Sequence, residues 1–250
     1  MKLTRRETLT LAAAATAAGI AGFPTLASAK EGDVIDQLKL MAPAGIPDKI
    51  SGDPAAKVTM IEYASPTCPH CALFSNTVLG PLQEKYVATG QVKFILRPFA
   101  RNTMDAAIFM LAEAAAKSVD AGATPAPSDP SAPSSEAPAD PTAPAPFSQA
   151  AIAAYENVIA TYFKTQQDWG ASDKPLDAVQ AVATQLGFSD AAFKEALSNQ
   201  PLFDAIEKMR DQAMTDFGLE GTPTFYINGK QLTGEKTLEQ LSAEIDPLLA

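Results

Sequence analysis

The chain is poor in the residue types on which most catalytic triads and metal centres depend. Its 250 residues include one histidine and two cysteines, and all three fall in the run Cys68-Pro69-His70-Cys71. A hydrolase with a Ser-His-Asp triad would have to use His70, and a structural zinc site would lack a fourth Cys or His ligand. The chain is too long, and has too few cysteines, for a small disulfide-held protein. What remains is dithiol chemistry, or a cysteine pair without a role.

Basic side chains are also scarce. The chain has 19 Lys and Arg against 29 Asp and Glu, a net charge of −10, which argues against a nucleic-acid surface or a polybasic membrane anchor. The hydrophobic fraction of 46% and the charged fraction of 19% are typical of a globular protein. A chain of this length forms one or two domains and buries a sizeable core.

Residues 1–29 have the composition of an export signal. The pair Arg5-Arg6 precedes an uncharged run at 9–29 that is rich in Ala and Gly and ends in Ala27-Ser28-Ala29, the pattern of a signal-peptidase site. Paired arginines before a weakly hydrophobic run resemble a Tat signal. An uncleaved anchor is the alternative, which Pro24 and the glycines disfavour. We expect cleavage after the last alanine and a mature chain in the oxidising periplasm.

The remaining chain has the pattern of an α/β domain interrupted by helices. β-branched and apolar runs at 58–63 and 92–97 predict two strands, with a helix that begins at Cys68 between them. Such a strand-helix-strand unit pairs its strands in parallel. A hairpin at 222–232 and an amphipathic helix at 237–249 predict a return to the same domain.

We therefore expect residues 56–100 and 218–250 to form one domain, with a lead-in segment at 30–55 and a helical insertion at 101–217. Capping residues and apolar spacing predict helices in the insertion after Asn102 or Thr103, after Ser148, and at about 175–186, 189–198 and 202–216. Residues 122–146 hold eight of the 20 prolines and no Leu, Ile, Val or aromatic residue. That composition buries too little apolar surface to fold, so it predicts a disordered surface loop.

The two cysteines are placed for thiol–disulfide exchange, which needs an attacking thiolate and a second thiol nearby. Cys68 begins a predicted helix, where unpaired backbone amides and the helix dipole favour an anion. We expect a lowered pKa for Cys68, with help from His70, and a smaller lowering for Cys71. A structural disulfide is disfavoured because so short a loop removes little entropy from the unfolded chain. A metal bound by the same residues, and an exposed His70 without a role, stay open as hypotheses.

Three features together resemble the DsbA-like branch of the thioredoxin superfamily. They are the motif Cys68-Pro69-His70-Cys71 after a strand, the helical stretch containing Gln166-Gln167-Asp168-Trp169, and the strand entry Gly221-Thr222-Pro223-Thr224-Phe225. The resemblance covers about residues 55–250. It implies a thioredoxin fold that carries an inserted helical domain, and disulfide oxidoreductase activity on exported polypeptides.

The resemblance also implies roles for individual residues. Cys68 matches the nucleophile and Cys71 the resolving thiol, so the redox group is their disulfide and no other cofactor or metal is expected. Thr222-Pro223 matches a loop with a cis proline that, with Pro69, faces the substrate strand and invites β-augmentation. Glu62 matches a buried acid that accepts the proton of the resolving thiol, although a carboxylate without a role is the alternative.

The sequence departs from the family pattern in two places. The lysine that partners the buried acid has no clear match, since Lys93 and Arg97 both lie on the second predicted strand. The proline-rich segment has no counterpart. In addition, a threonine before the cis proline also occurs in isomerases of the superfamily, which keeps a second activity open.

Three functions follow as hypotheses. The first is a monomeric periplasmic dithiol oxidase that acts on newly exported polypeptides and is reoxidised by a DsbB-like, quinone-linked membrane partner. The second is a disulfide isomerase or reductase that a membrane electron donor keeps reduced. The third is a peptide-binding holdase with incidental cysteines, which the retained cysteine pair disfavours.

Overall fold

The computed structural model describes residues 30–122 and 147–250. The predicted export signal and the proline-rich segment at 123–146 lie outside the described residues, so both stay predictions. Within the described ranges, no helix combines the length and the apolar character that a membrane span requires.

The described residues form a five-stranded mixed sheet with the order β1-β3-β2-β4-β5. Its strands are β1 (Ile50–Ser51), β2 (Val58–Ala64), β3 (Val92–Pro98), β4 (Thr224–Ile227) and β5 (Lys230–Thr233). The predicted parallel pair is confirmed, because β2 and β3 run parallel while the other neighbours are antiparallel. Every residue of β2 is buried, as expected for a central strand covered on both faces.

The helices connect and cover this sheet. They are α1 (Gln37–Leu40), α2 (Pro69–Phe74), α3 (Gly80–Leu82), α4 (Thr103–Gly122), α5 (Gln149–Lys164), α6 (Gln166–Gly170), α7 (Pro175–Gln185), α8 (Asp190–Leu197), α9 (Gln200–Asp216) and α10 (Leu238–Leu249). Two π-helical segments, Ser75–Leu79 and Gln83–Val87, join α2 and α3 to β3. Helices α4 to α9 all lie between β3 and β4, which confirms the expected α/β fold with a helical insertion.

Side-chain caps set the helix starts that the sequence predicts. Ser148 accepts a hydrogen bond from the Ala151 amide, and Ser189 and Thr237 cap α8 and α10 in the same way. These bonds satisfy backbone amides that have no partner inside the helix. The predicted positions of α5, α8 and α10 are therefore confirmed to within a residue or two.

Two boundaries differ from the prediction. The strand expected from residue 222 begins at Thr224, because Thr222 and Pro223 belong to the loop that precedes it. The second strand, predicted at 92–97, also includes Pro98 as its last residue, a position where a missing amide removes no interior ladder bond. The lead-in segment contributes the short helix α1 and the edge strand β1.

Candidate active site

Cys68 lies at the amino end of α2 because the Cys-Pro sequence suits a helix start. Its backbone is extended, with φ −87° and ψ 118°, and Pro69 takes the first helical position. Proline loses no hydrogen bond there, and its fixed φ already matches the helix. The Cys68 amide donates to the Ser65 carbonyl at 2.9 Å, which ties the cysteine to the end of β2.

Hydrogen bonds lower the pKa of Cys68 to about 5. The Cys71 side chain contributes most, and the backbone amides of Cys71 and His70 add to it, whereas burial opposes it. The lowered pKa predicted for this cysteine is confirmed. Its cause is the cluster of donors at the helix start.

Cys71 differs from the expectation. Burial raises the pKa of its thiol well above the ordinary value, and the neighbouring Cys68 and Glu62 raise it further. The prediction of a smaller lowering is wrong, because Cys71 is fully buried and itself donates to the other sulfur. The pair therefore combines an acidic thiol with a weakly acidic one, about one helical turn apart.

Glu62 lies on β2 beneath this pair and is 1% exposed. Neither carboxylate oxygen has a hydrogen-bond partner among the described residues. Burial, with a smaller contribution from Cys68, raises the pKa of this carboxyl to about 8. The site thus contains a buried group that titrates near neutral pH, as a proton acceptor for a thiol must.

Neither candidate basic partner reaches Glu62. Arg97 donates to Asp48 at 2.7 and 2.6 Å and to the Tyr63 hydroxyl at 2.8 Å, and Lys93 donates to the Pro54 carbonyl at 3.0 Å. The strand register gives the reason. Glu62 is aligned with Leu96 of β3, so Lys93 and Arg97 point to the opposite face of the sheet.

The loop before β4 completes the site from the other side. The peptide bond between Thr222 and Pro223 is cis, as expected, and the Cys68 thiol donates to the Thr222 carbonyl across 3.2 Å. The loop is held because Gly234 donates to the Pro223 carbonyl at 2.9 Å. These residues, distant in sequence from the motif, therefore border the Cys68 sulfur.

His70 has a different environment from the one expected. Its imidazole is exposed and its Nδ1 contacts Glu235 in the loop after β5, while its backbone amide is the group that stabilises Cys68. Within the two described ranges, no three His, Cys, Asp or Glu side chains converge as metal ligands would.

Sequence reasoning missed a contribution from the helical insertion. Gln166 at the start of α6 donates through Nε2 to the Pro66 carbonyl at 2.7 Å and to the Cys68 carbonyl at 2.9 Å. Beside it lies a groove of about 560 Å³, bordered by Thr67, Pro69, Asn102, Met104, Gln166 and Trp169 among others. The signal in the sequence was this glutamine's place in the stretch that resembles the family.

Replacing Gln166 with alanine should destabilise the segment that contains Pro66 and Cys68. Two carbonyls lose their donor, so the free energy of unfolding should fall by about 1–2 kcal/mol. Urea denaturation measures this, with Gln167→Ala as the matched control because that side chain makes neither bond. Equal stabilities for the two variants would contradict a bracing role for Gln166.

Comparison with known proteins agrees with this geometry. The family model described as thioredoxin matches residues 46–126 and 136–247. A putative protein-disulfide oxidoreductase of Rickettsia conorii is 25% identical over 205 residues, which are 81% of this chain and 60% of that protein. The thiol:disulfide interchange protein DsbL of Escherichia coli is 26% identical over 196 residues, covering 77% of this chain and 78% of the relative.

Among solved structures, a variant of alpha-DsbA1 from Wolbachia pipientis is similar, with a TM-score of 0.66 and 26% identity. The match covers 86% of this chain and 96% of that one. The expected thioredoxin fold is thereby confirmed. The chain spans about 60% of the length of the Rickettsia relative.

Proposed function

The chain belongs to the thioredoxin superfamily, in its DsbA-like branch, and we propose that it is a periplasmic dithiol oxidase that introduces disulfides into exported polypeptides. The observation that carries the proposal is the contrast between Cys68, whose pKa is lowered to about 5, and the buried Cys71, whose pKa is raised. Such a pair favours the reduced enzyme, and therefore favours giving its disulfide away.

The reaction begins with the Cys68–Cys71 disulfide. A substrate thiolate attacks the Cys68 sulfur, the disulfide breaks, and Cys71 leaves with the electron pair and takes up a proton. A mixed disulfide then joins Cys68 to the substrate. A second substrate thiolate attacks the substrate sulfur of this bond and releases Cys68 as a thiolate, so the substrate leaves oxidised and the enzyme reduced by two electrons.

The environment of Cys68 favours the last step. A thiol of low pKa is a good leaving group, and the amides at the start of α2 stabilise its charge as the bond breaks. At pH 7 a pKa near 5 stabilises the reduced form by on the order of 2–3 kcal/mol relative to an un-ionised thiol, or roughly 60 mV toward oxidant.

The surrounding residues receive supporting roles in this proposal. Glu62 exchanges a proton with Cys71, since its pKa of about 8 suits transfer near neutral pH. The Thr222-Pro223 loop and Pro69 border the reactive sulfur and receive the substrate strand. The redox group is the cysteine pair itself, with no resident cofactor or metal.

The wider context is also part of the proposal. A Tat-type signal would export the chain to the periplasm, and a quinone-linked membrane protein would reoxidise the monomer. The division into a lead-in at 30–55, a thioredoxin-like domain at 56–100 and 218–250, and an insertion at 101–217 stays a prediction.

Equilibration with glutathione tests the direction of the reaction. The cysteine pair should be half reduced in a buffer more oxidising than the glutathione pool, because the Cys68 thiolate stabilises the reduced form. Alkylation of the free thiols after acid quenching measures the redox ratio. A pair that stays oxidised in a reducing glutathione buffer would overturn the oxidase proposal.

A disulfide isomerase or reductase is the second candidate, favoured by the threonine before Pro223. Such an enzyme works in the reduced state and rearranges wrong disulfides. Refolding of a protein with scrambled disulfides by the reduced chain distinguishes the two functions, since an oxidase adds disulfides without correcting them.

A further inference from the structure

One buried carboxylate holds the segment that leads into the reactive cysteine. Asp105, in the first turn of α4, is 0% exposed. Its oxygens accept hydrogen bonds from the Ser65 hydroxyl at 2.7 Å, the Thr67 amide at 2.7 Å and the Arg101 amide at 2.9 Å. A carboxylate without water is stable only when its lone pairs are satisfied in this way. The helical insertion thus contacts the segment at 65–67 through a fully hydrogen-bonded charge.

Neighbouring side chains complete the network around Asp105. Arg101 donates through Nε to the Ser65 hydroxyl at 2.9 Å and through Nη2 to the Thr67 hydroxyl at 3.0 Å. Asn102 donates to the same threonine hydroxyl at 3.0 Å. Both side chains precede α4 directly, so Arg101, Asn102 and Asp105 contact the segment at 65–67 from one short stretch of the insertion.

Ser65 links this network to both cysteines. Its carbonyl accepts the Cys68 amide at 2.9 Å, and its own amide donates to Cys71. Asp105 therefore acts on the cysteines through Ser65 and Thr67. Because Cys68 precedes the first turn of α2, a shift of the segment would move its sulfur relative to the amides of that turn.

We propose that Asp105 is a positioning residue for thiol–disulfide exchange, which fixes the segment at 65–67 so that the Cys68 sulfur stays against the amide donors of α2. The inference rests on the proposed function, because it assigns Asp105 a part in the same reaction. Regular secondary structure cannot fix this segment, since it lies between β2 and α2. Its backbone polar groups therefore need hydrogen-bond partners from elsewhere in the chain.

The variant Asp105→Asn tests the proposal, because it keeps the shape but replaces one acceptor oxygen with a donor. The Cys68 pKa should rise from about 5 by roughly one pH unit, which corresponds to a tenfold weaker stabilisation of the thiolate. The equilibrium with glutathione should shift by about tenfold, or roughly 30 mV, toward a weaker oxidant.

Thiolate absorbance during a pH titration of the reduced chain measures the pKa. Cys68 and Cys71 are the chain's two thiols, and the groups that face Cys68 are Cys71, Glu62, Thr222 and the amides at the start of α2. The His70 imidazole faces outward to Glu235. The substitution alters none of these groups directly.

Asp120→Asn is the matched control, since Asp120 lies on the last turn of the same helix and accepts a bond from Ser148 at 2.6 Å. It should keep the wild-type pKa and equilibrium. An Asp105→Asn chain that is less stable but has the wild-type pKa and equilibrium would overturn the proposal, because the residue would then serve stability alone.

Ser65→Ala decides the matter if Asp105→Asn fails to fold. It removes one hydroxyl and leaves the backbone bonds in place, so the pKa of Cys68 should rise in the same direction by a smaller amount. An unchanged pKa in that variant would overturn the proposal. A wild-type chain that exchanges no disulfides would instead refute the proposed function. The pKa measurements on the variants would still test the role of Asp105.

Discussion

Replacing Cys68 with serine should abolish thiol–disulfide exchange, and replacing Cys71 with serine should leave the chain joined to its substrates. A serine hydroxyl forms no disulfide, so the first variant cannot form the Cys68–Cys71 disulfide that a substrate thiolate would attack. In the second variant, the Cys68 thiolate still attacks a substrate disulfide, which breaks, releases one substrate thiolate and leaves a mixed disulfide, but no neighbouring thiol is present to resolve it. The loss should be complete in the first variant and a covalent trap should appear in the second.

Non-reducing gels of each variant, after incubation with a protein that contains disulfides and acid quenching, measure the trapped species, because the lone Cys68 thiolate needs a substrate disulfide to attack. The double variant with both serines is the control for non-covalent association. A Cys71→Ala variant, which has no side-chain donor, should show a higher Cys68 pKa, because the Cys71 side chain makes the largest contribution to the lowered value of about 5. Retained activity in Cys68→Ser, with no trapped species in Cys71→Ser, would reverse the two roles.

Sequence patterns predicted those parts of the fold that depend on local chemistry. The apolar run of β2 and the serine and threonine caps of α5, α8 and α10 act over a few residues, so each is visible without the tertiary structure. Strand β1 was not predictable in this way. It has two residues, Ile50 and Ser51, and exists because they pair with β3 about 45 residues later.

The residues of the site also fall into two groups, those with a local signal in the sequence and those placed by tertiary contacts. The cysteine pair and the proline that follows Cys68 lie within four positions, so their geometry at a helix start could be predicted. Asp105, Gln166 and Glu235 reach the site from other parts of the chain through side-chain contacts. Polar residues on helices and loops usually face solvent, so apart from the family resemblance around Gln166 nothing in their local sequence separates them from ordinary surface positions.

The two candidate basic partners of Glu62 show what the strand register adds to the sequence. Lys93 and Arg97 were equally plausible until the alignment of β2 with β3 placed both on the opposite face of the sheet. Without a cation beside it, the Glu62 carboxyl has burial as the main influence on its pKa. That isolation gives the protein a pH dependence that can be measured.

In the oxidised chain, the free energy of unfolding should fall by a large amount between pH 5 and 8, and replacing Glu62 with glutamine should remove most of this fall. The folded-state pKa of about 8 lies above the ordinary value of 4.5, so the folded chain holds a proton that the unfolded chain has released. The stability from the neutral carboxyl is full below pH 4.5 and is lost as the pH rises through 8. At about 1.4 kcal/mol per pH unit, the loss amounts to roughly 4–5 kcal/mol.

Comparison of the two redox states separates the Glu62 contribution, because ionisation of Cys68 changes the stability of the reduced chain with pH in the opposite direction. Its lowered pKa stabilises the reduced chain at high pH, and that stability is lost as the pH falls through about 5. The two slopes oppose each other in the reduced wild-type chain, whose stability should change little from pH 5 to 8. In the oxidised chain no thiolate forms, so stability should fall across the same range.

Denaturant unfolding of both redox forms at several pH values tests these slopes. Oxidised Glu62→Gln should lose much less stability than the oxidised wild type, and reduced Glu62→Gln should gain stability as the pH rises, because Glu62 no longer opposes the Cys68 contribution. Glu84→Gln, an exposed glutamate with the same change of charge, is the control and should follow the wild type. If the oxidised wild type showed no loss of stability up to pH 8, Glu62 would be charged throughout and could not give a proton to the departing Cys71 thiolate near neutral pH.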